Sequence, residues 1–288
     1  MKVEIKDLHF TYPNSSKEIL KGVDLVIDQP GLICVLGPNG VGKSTMVYCI
    51  NKLQTATSGE VLIDGRNVND ISFKEMAKFL SFVPHNEDDT FSMSVMETVL
   101  LGRFPFKGET DAKTDMRIAA ENIKLLGIED LAMQGFDNLS AGQHQKVMIA
   151  RGLTQEPQIL ICDEPTANLD VRYQMIVMRL LRDLARTKKI TIIVICHDLN
   201  VTAQYADRVV MVYGGKVMAD GTPEETLTAD NIRALFNVES EISDLQGRPH
   251  IALLDYDGLD SHVDEILGNI QKMKEEAAAE ADAEAKKD

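Results

Sequence analysis

The chain lacks any apolar run near the roughly 20 residues that a bilayer-spanning helix needs. It also lacks a signal-peptide core: Met1-Lys2-Val3-Glu4-Ile5-Lys6 alternates like a strand. These absences lead us to expect a soluble, cytoplasmic chain with no transmembrane segment, which reaches a membrane only through a partner. Positive charge is scarce, with 30 Lys and Arg against 45 Asp and Glu and a formal net charge of −15. A nucleic-acid binder normally carries a basic face, so that class starts at a disadvantage. Direct docking on anionic lipid is disfavoured for the same reason. Cysteine is sparse: Cys34, Cys49, Cys162 and Cys196 form no C-x-x-C pair, and three of them sit in strand-like apolar runs. They read as small buried hydrophobes in a reducing compartment rather than as a shared metal site. No internal repeat of about 20–50 residues recurs.

What is present is an ordinary globular composition. With 288 residues, 44% of them hydrophobic, the chain can bury a sizeable core as one large domain or two smaller ones. Its most informative stretch is Gly37-Pro38-Asn39-Gly40-Val41-Gly42-Lys43-Ser44-Thr45, which fits the phosphate-loop pattern G-x-x-x-x-G-K-[ST]. Leu32 to Leu36 before it is a continuous apolar run, like a strand buried on both faces. Met46 to Leu53 after it suits a helix. The glycines let the backbone turn its N–H groups toward an anion, and the helix N-terminus adds partial positive charge. Lys43 is placed to reach the β- and γ-phosphates, and the Ser44 hydroxyl to ligate Mg²⁺.

Val3 to Phe10 and Val23 to Asp28 read as strands flanking a turn at Tyr12-Pro13-Asn14-Ser15-Ser16. Glu60 to Asp64 and Phe79 to Val83 are further strands. From about Ser94 to Asp137 the pattern is helical, with an apolar stripe at Ala119, Ile123, Leu125 and Leu126. Ser140 begins a helix reaching about Thr154, and Arg172 to Ala185 forms another between the buried-strand runs Ile159–Cys162 and Ile190–Ile195. This alternation argues for a parallel sheet with crossover helices. Asp207 to Tyr213 and Lys216 to Asp220 predict a hairpin at Gly214-Gly215. Pro223 to Phe236 reads as helical and Ile251 to Tyr256 as a late strand. Lys272 to Asp288 is Ala, Glu and Lys rich, a solvated helix or a frayed tail.

Ile159-Leu160-Ile161-Cys162-Asp163-Glu164 is an apolar strand ending in two carboxylates. Alone it is equally an acidic loop; after a phosphate loop, Asp163 suits Mg²⁺ and Glu164 suits orienting or deprotonating an attacking water. In Leu139-Ser140-Ala141-Gly142-Gln143, Ser140 is a good N-cap, and the small residues after it present amides to an anion.

With His197 at the end of the Ile190–Cys196 strand, these motifs together resemble the ATP-binding-cassette (ABC) ATPase family, over roughly Val3 to Gly221 and in family order. Tyr12 matches the aromatic residue that stacks on adenine. Gly37 to Thr45 match the Walker A loop. Ser140, Ala141, Gly142 and Gln143 match the LSGGQ signature, with Ala141 replacing its first glycine. Asp163 and Glu164 match the Walker B aspartate and catalytic glutamate, Asn168-Leu169-Asp170 the D-loop, and His197 the switch histidine on the γ-phosphate. One position departs: His85, followed by Asn86, stands where the family has a glutamine that touches Mg²⁺ and water. Either His85 takes that role, as a catalytic and metal-side residue, and activity falls below its pKa, or it points away and Asn86 or water substitutes.

The resemblance implies an α/β P-loop fold with a mainly parallel core sheet, an N-terminal antiparallel β subdomain and a helical signature subdomain. It implies an ATPase domain over 1–225 (helical part about 86–155), an extension over 226–260 and an acidic tail over 261–288. ATP and Mg²⁺ are the expected cofactors. Because each signature in the family caps the other subunit's ATP, it implies a homodimer. The segments Leu100 to Phe106 and Gly221 to Thr228, the latter followed by Ala234 to Val238, look like ATPase subunits of iron-chelate, haem and cobalamin importers. Those work on the cytoplasmic face of the membrane with two permease chains and an external solute-binding protein. The alternatives are an exporter subunit, a nucleic-acid-associated ABC ATPase, disfavoured by charge, and a small-molecule P-loop kinase, which would leave Leu139 to Gln143 unexplained.

Overall fold

The computed structural model describes residues 1–13, 15–85 and 93–254. Asn14, Asn86, Tyr256 and the expected tail segment 261–288 lie outside them. The strands are β1 (Val3–Thr11), β2 (Glu18–Ile27), β3 (Gly31–Leu36), β4 (Ser58–Ile63), β5 (Arg66–Asn67), β6 (Leu80–Val83), β7 (Ile159–Asp163), β8 (Thr191–Ile195), β9 (Arg208–Tyr213), β10 (Lys216–Gly221), β11 (Ser240–Leu245) and β12 (Arg248–Leu253). The α-helices are α1 (Lys43–Ile50), α2 (Phe73–Met76), α3 (Val95–Leu100), α4 (Ala112–Leu125), α5 (Ala141–Thr154), α6 (Val171–Lys188), α7 (Leu199–Tyr205), α8 (Pro223–Thr226) and α9 (Ala229–Phe236).

A six-stranded sheet of order β10-β9-β3-β8-β7-β6 forms the centre, parallel except for the β9–β10 hairpin. Every residue of β3, β7 and β8 is buried. The reason is a core on each face. Leu32, Cys34 and Leu36 point into a core shared with α5 and α6. Ile33 and Val35 point into a second core shared with α1 and the antiparallel sheet β2-β1-β4-β5. A strand between two apolar layers has no polar alternation, hence the unbroken apolar runs. All strand ends that bear on function, after β3, β6, β7 and β8, therefore emerge on one edge.

The mainly parallel sheet, the antiparallel N-terminal sheet and the helical arm agree with the expected fold class. So do the helix from Ala141 to Thr154 and the hairpin at Gly214-Gly215. All four cysteines are buried and free, with Cys34 and Cys196 bringing their Sγ atoms to 3.7 Å. Three expectations change. Leu125 does not belong to the buried stripe: it is 48% exposed, because it lies six residues beyond Ala119 on the helix, more than 100° around from the face that Ile123 completes. The expected helix from Pro223 to Phe236 is two, broken after Thr226, each under its own threonine cap, Thr222 and Thr228. The late strand runs Arg248–Leu253 and pairs with β11, a partner the sequence reading missed.

The β11–β12 hairpin is fastened to α7. The Asn200 side-chain amide donates to Ile251 O at 3.0 Å, and Ile251 N–H donates to Asn200 Oδ1 at 2.8 Å. In the helical arm, Arg103 is buried, donating to Asp115 Oδ1 (2.9 Å), Thr154 O (2.9 Å) and Glu156 Oε2 (2.8 Å), with its guanidinium over the Phe106 ring. That anchor fixes a short 3₁₀ segment, Leu101–Phe106, and leaves Phe104 facing out at 71% exposure.

Candidate active site

The phosphate loop joins β3 to α1, and its geometry is that of a helix start left open. α1 begins after Gly42 with no side-chain cap and no acidic residue in its first turn. The other eight α-helices among the described residues each start under a Ser, Thr or Asp side chain. Bare amides at a helix N-terminus are an anion site. Gly42 has φ 106°, and a Cβ there would lie 2.7 Å from Leu20 Cδ2, so no other residue passes the chain through this point unstrained. The buried Lys43 donates from Nζ to Gly37 O at 2.7 Å and Pro38 O at 2.8 Å. Burial lowers its pKa, while Glu164 and Asp163 act to raise it. A cavity of about 210 Å³ is lined by Tyr12, Ile19, Asn39, Gly40, Gly42, Lys43, Ser44, Thr45 and Glu164. Tyr12 reaches the loop through its hydroxyl, 3.1 Å from Thr45 Oγ1, its ring edge-on to Phe10.

The carboxylates come from the end of β7. Asp163 is buried and accepts from Tyr48 Oη at 2.9 Å. Burial pushes its carboxyl up; the Tyr48 bond opposes that, Glu164 adds to it, and His85 and the Ser44 hydroxyl pull the other way. Burial, with the Asp163 bond second, pushes the Tyr48 phenol up to about 12. Glu164 sits in the left-handed region at φ 49°, a conformation that a glutamate holds only where its surroundings impose it. His197 Nε2 lies 2.5 Å from Glu164 Oε1, and His85 Nδ1 lies 3.6 Å from Glu164 Oε2. The glutamate thus stands between two imidazoles.

Among the described residues no three His, Cys, Asp or Glu side chains form a ready metal cage. The Ser44 hydroxyl and the buried Asp163 carboxylate nonetheless fit a divalent cation that takes its remaining oxygens from phosphate.

The signature segment is built differently. Ser140 Oγ accepts from Gln143 N–H, and Gln143 Oε1 accepts from Ser140 N–H at 2.9 Å, a reciprocal cap. Gly142 lies against α6, where a Cβ would meet the Tyr173 ring at 2.7 Å. Asp170 caps α6, accepting from Tyr173 N–H at 2.9 Å.

The family model described as ABC transporter matches residues 20–167. An uncharacterized ABC transporter ATP-binding protein of Methanocaldococcus jannaschii is 36% identical over 249 residues, 86% of this chain and 96% of that protein. The chain belongs to the ABC transporter family. It is similar to the hemin import ATP-binding protein of Bordetella avium, 32% identical over 84% of this chain and 94% of that protein. It is also similar to the cobalamin import ATP-binding protein of Halobacterium salinarum, 36% identical over 76% of this chain and 55% of that longer protein. Among solved structures, a putative metal-chelate type ABC transporter in an inward-facing conformation matches with TM-score 0.75 at 25% identity, over 88% of this chain and 97% of that one. A dimeric bacterial ABC transporter cassette matches with TM-score 0.67 at 32% identity, over 76% and 98%. The chain is an ATP hydrolase of the ABC type.

Within this ABC ATPase, Tyr12, the phosphate loop, Ser44, His85, Asp163, Glu164 and His197 gather on one edge of the sheet. Ser140, Ala141, Gly142, Gln143 and Asp170 do not line that cavity. Sequence reading missed Tyr48. The clue was its spacing: four residues past Ser44, it shares that residue's helix face and so meets the same carboxylate.

Proposed function

We propose that the chain is the ATP-hydrolysing subunit of an importer for an iron complex, a siderophore or haem, or for cobalamin. It works as a dimer on the cytoplasmic face of the membrane, bound to two permease chains served by an external solute-binding protein. The resemblance of its segments and the importer names of its relatives support this reading. The observation that carries it is an apolar groove of about 470 Å³ lined by Phe73, Lys74, Ala77, Phe104, Pro105 and Lys107. Phe73 is 61% and Phe104 71% exposed, and the backbone beneath Phe104 is held by buried Arg103. Rigidly displayed aromatics are what a partner helix needs; covering Phe104 contributes roughly 2 kcal/mol.

In the catalytic reading, the amides of the loop and Lys43 cradle the β- and γ-phosphates. Ser44 and Asp163, with His85 at the same end of the site, would hold the Mg²⁺, which would neutralise charge on the phosphates. Glu164 accepts a proton from the attacking water, and His197 fixes the Glu164 carboxylate and faces the γ-phosphate. As the family resemblance implies, a second copy's signature caps the nucleotide, which is in keeping with Ser140 to Gln143 sitting off this chain's own cavity, so ATP favours the closed dimer through contacts that only that state makes.

The test is to purify the tagged chain from detergent-solubilised membranes and identify what comes with it. A polytopic permease, lost with Phe104→Asp while nucleotide still binds, is the expected result. Recovery of nucleic acid or of soluble partners alone overturns the importer reading.

A further inference from the structure

The cation end of the site contains an imidazole. β6 pairs with β7 so that Val83 stands opposite Cys162. Two residues on, His85 is therefore level with Glu164, and its Nδ1 lies 3.6 Å from Glu164 Oε2. That orientation leaves Nε2 as the nitrogen not turned to the glutamate. His85 also acts on Asp163, the carboxylate that the Ser44 hydroxyl and Tyr48 address. It stands one-third exposed at a strand end, so packing alone does not account for its position. A histidine that ligates a metal almost always gives its other ring N–H to a carboxylate, which fixes the ring and the tautomer. Glu164 Oε2, 3.6 Å from Nδ1 and just beyond hydrogen-bond distance, is the carboxylate that faces this nitrogen.

An imidazole changes which ion such a site favours. Mg²⁺ is a hard ion that takes oxygen donors and sheds water reluctantly. A nitrogen donor shifts preference toward first-row transition ions. We propose that His85 supplies a nitrogen ligand to the nucleotide-bound cation, so that this site takes transition ions, Mn²⁺ among them, in preference to Mg²⁺. The inference rests on the reading of Ser44 and Asp163 as the cation's other protein ligands.

The test uses the full chain with Mn²⁺ and the non-hydrolysable analogue AMP-PCP, read by pulsed electron paramagnetic resonance. The bound Mn²⁺ is expected to show a directly coordinated imidazole nitrogen, which changes from a ¹⁴N to a ¹⁵N signature when the protein is ¹⁵N-labelled. The coupling disappears in His85→Gln and persists in His197→Gln. The ratio of Mn²⁺ to Mg²⁺ affinity is expected to fall about tenfold in His85→Gln, in line with the effect of removing a group that supports a metal site. Mn²⁺ and nucleotide bound with no imidazole coupling, or an unchanged affinity ratio, overturns the inference and leaves the ATPase reading intact. A chain that binds neither Mn²⁺ nor the analogue overturns that underlying reading as well, and the inference with it.

Discussion

The helix α1 starts with no side chain over its amides, whereas α5 starts under the reciprocal Ser140–Gln143 cap. Both are helix starts in motifs that address an anion. Leaving α1 open forgoes about 1 kcal/mol of capping, which phosphate restores when it binds. In α5 the reciprocal cap ties up the Ser140 and Gln143 N–H groups without any ligand. On the proposed dimer reading, the difference separates an anion site that the single chain holds from one that it offers to a partner copy. The open helix is complete as soon as nucleotide arrives. In the proposed dimer, the capped one is laid on a nucleotide held by the partner copy.

Four variants break or sharpen this comparison. Glu164→Gln should lower hydrolysis about 10³-fold by removing the proton acceptor while keeping nucleotide affinity. Phosphate release and equilibrium binding check the two halves, and size-exclusion chromatography with ATP should show a trapped dimer. A variant that hydrolyses at the native rate removes the general-base role. Gly42→Ala puts a methyl 2.7 Å from Leu20 at φ 106°, so nucleotide affinity should fall by about 2 kcal/mol, roughly 30-fold, measured by titration calorimetry. Gly142→Ala presses on Tyr173 instead. Hydrolysis should fall about tenfold, a cost of the size overpacking brings, with nucleotide binding by the monomer unchanged; weakened monomer binding would collapse the distinction between the two helix starts.

The smallest effect is thermodynamic. Burial holds the Asp163 carboxyl above its unfolded pKa, so its ionisation opposes folding. The penalty is absent while the group is protonated in both states and grows as pH rises through the unfolded value toward the folded one. Asp163→Asn keeps an acceptor for Tyr48 and should raise the Tm of the nucleotide-free protein by a few degrees at about pH 7. That gain should vanish below about pH 4, where the acid is neutral anyway. A calorimetric scan at each pH decides it.

The phosphate loop, the Asp163-Glu164 strand end and the Ser140 helix start were legible in sequence because each is local. Glycine spacing, an apolar strand and a cap residue lie within a few positions of one another. The sheet was legible because strands between two cores are apolar throughout. What escaped depends on distance or on weak patterning. Tyr48 meets Asp163 across 115 positions of sequence. β11 is exposed at every residue after Ser240, so it carries no alternation to read. Leu125 was misplaced because adjacency to Leu126 in sequence is not adjacency on a helix face.

The Asn200–Ile251 pairing gives the C-terminal hairpin a mechanical character. α7 begins two residues after His197, behind its Asp198 cap, and two hydrogen bonds from Asn200 join α7 and the hairpin into one lever with the histidine at its short end. Leu245, 59% exposed at the far tip, marks the long end. A fluorophore attached there would amplify any tilt of the histidine's helix into displacement at the surface, letting each turnover be watched optically without touching the nucleotide.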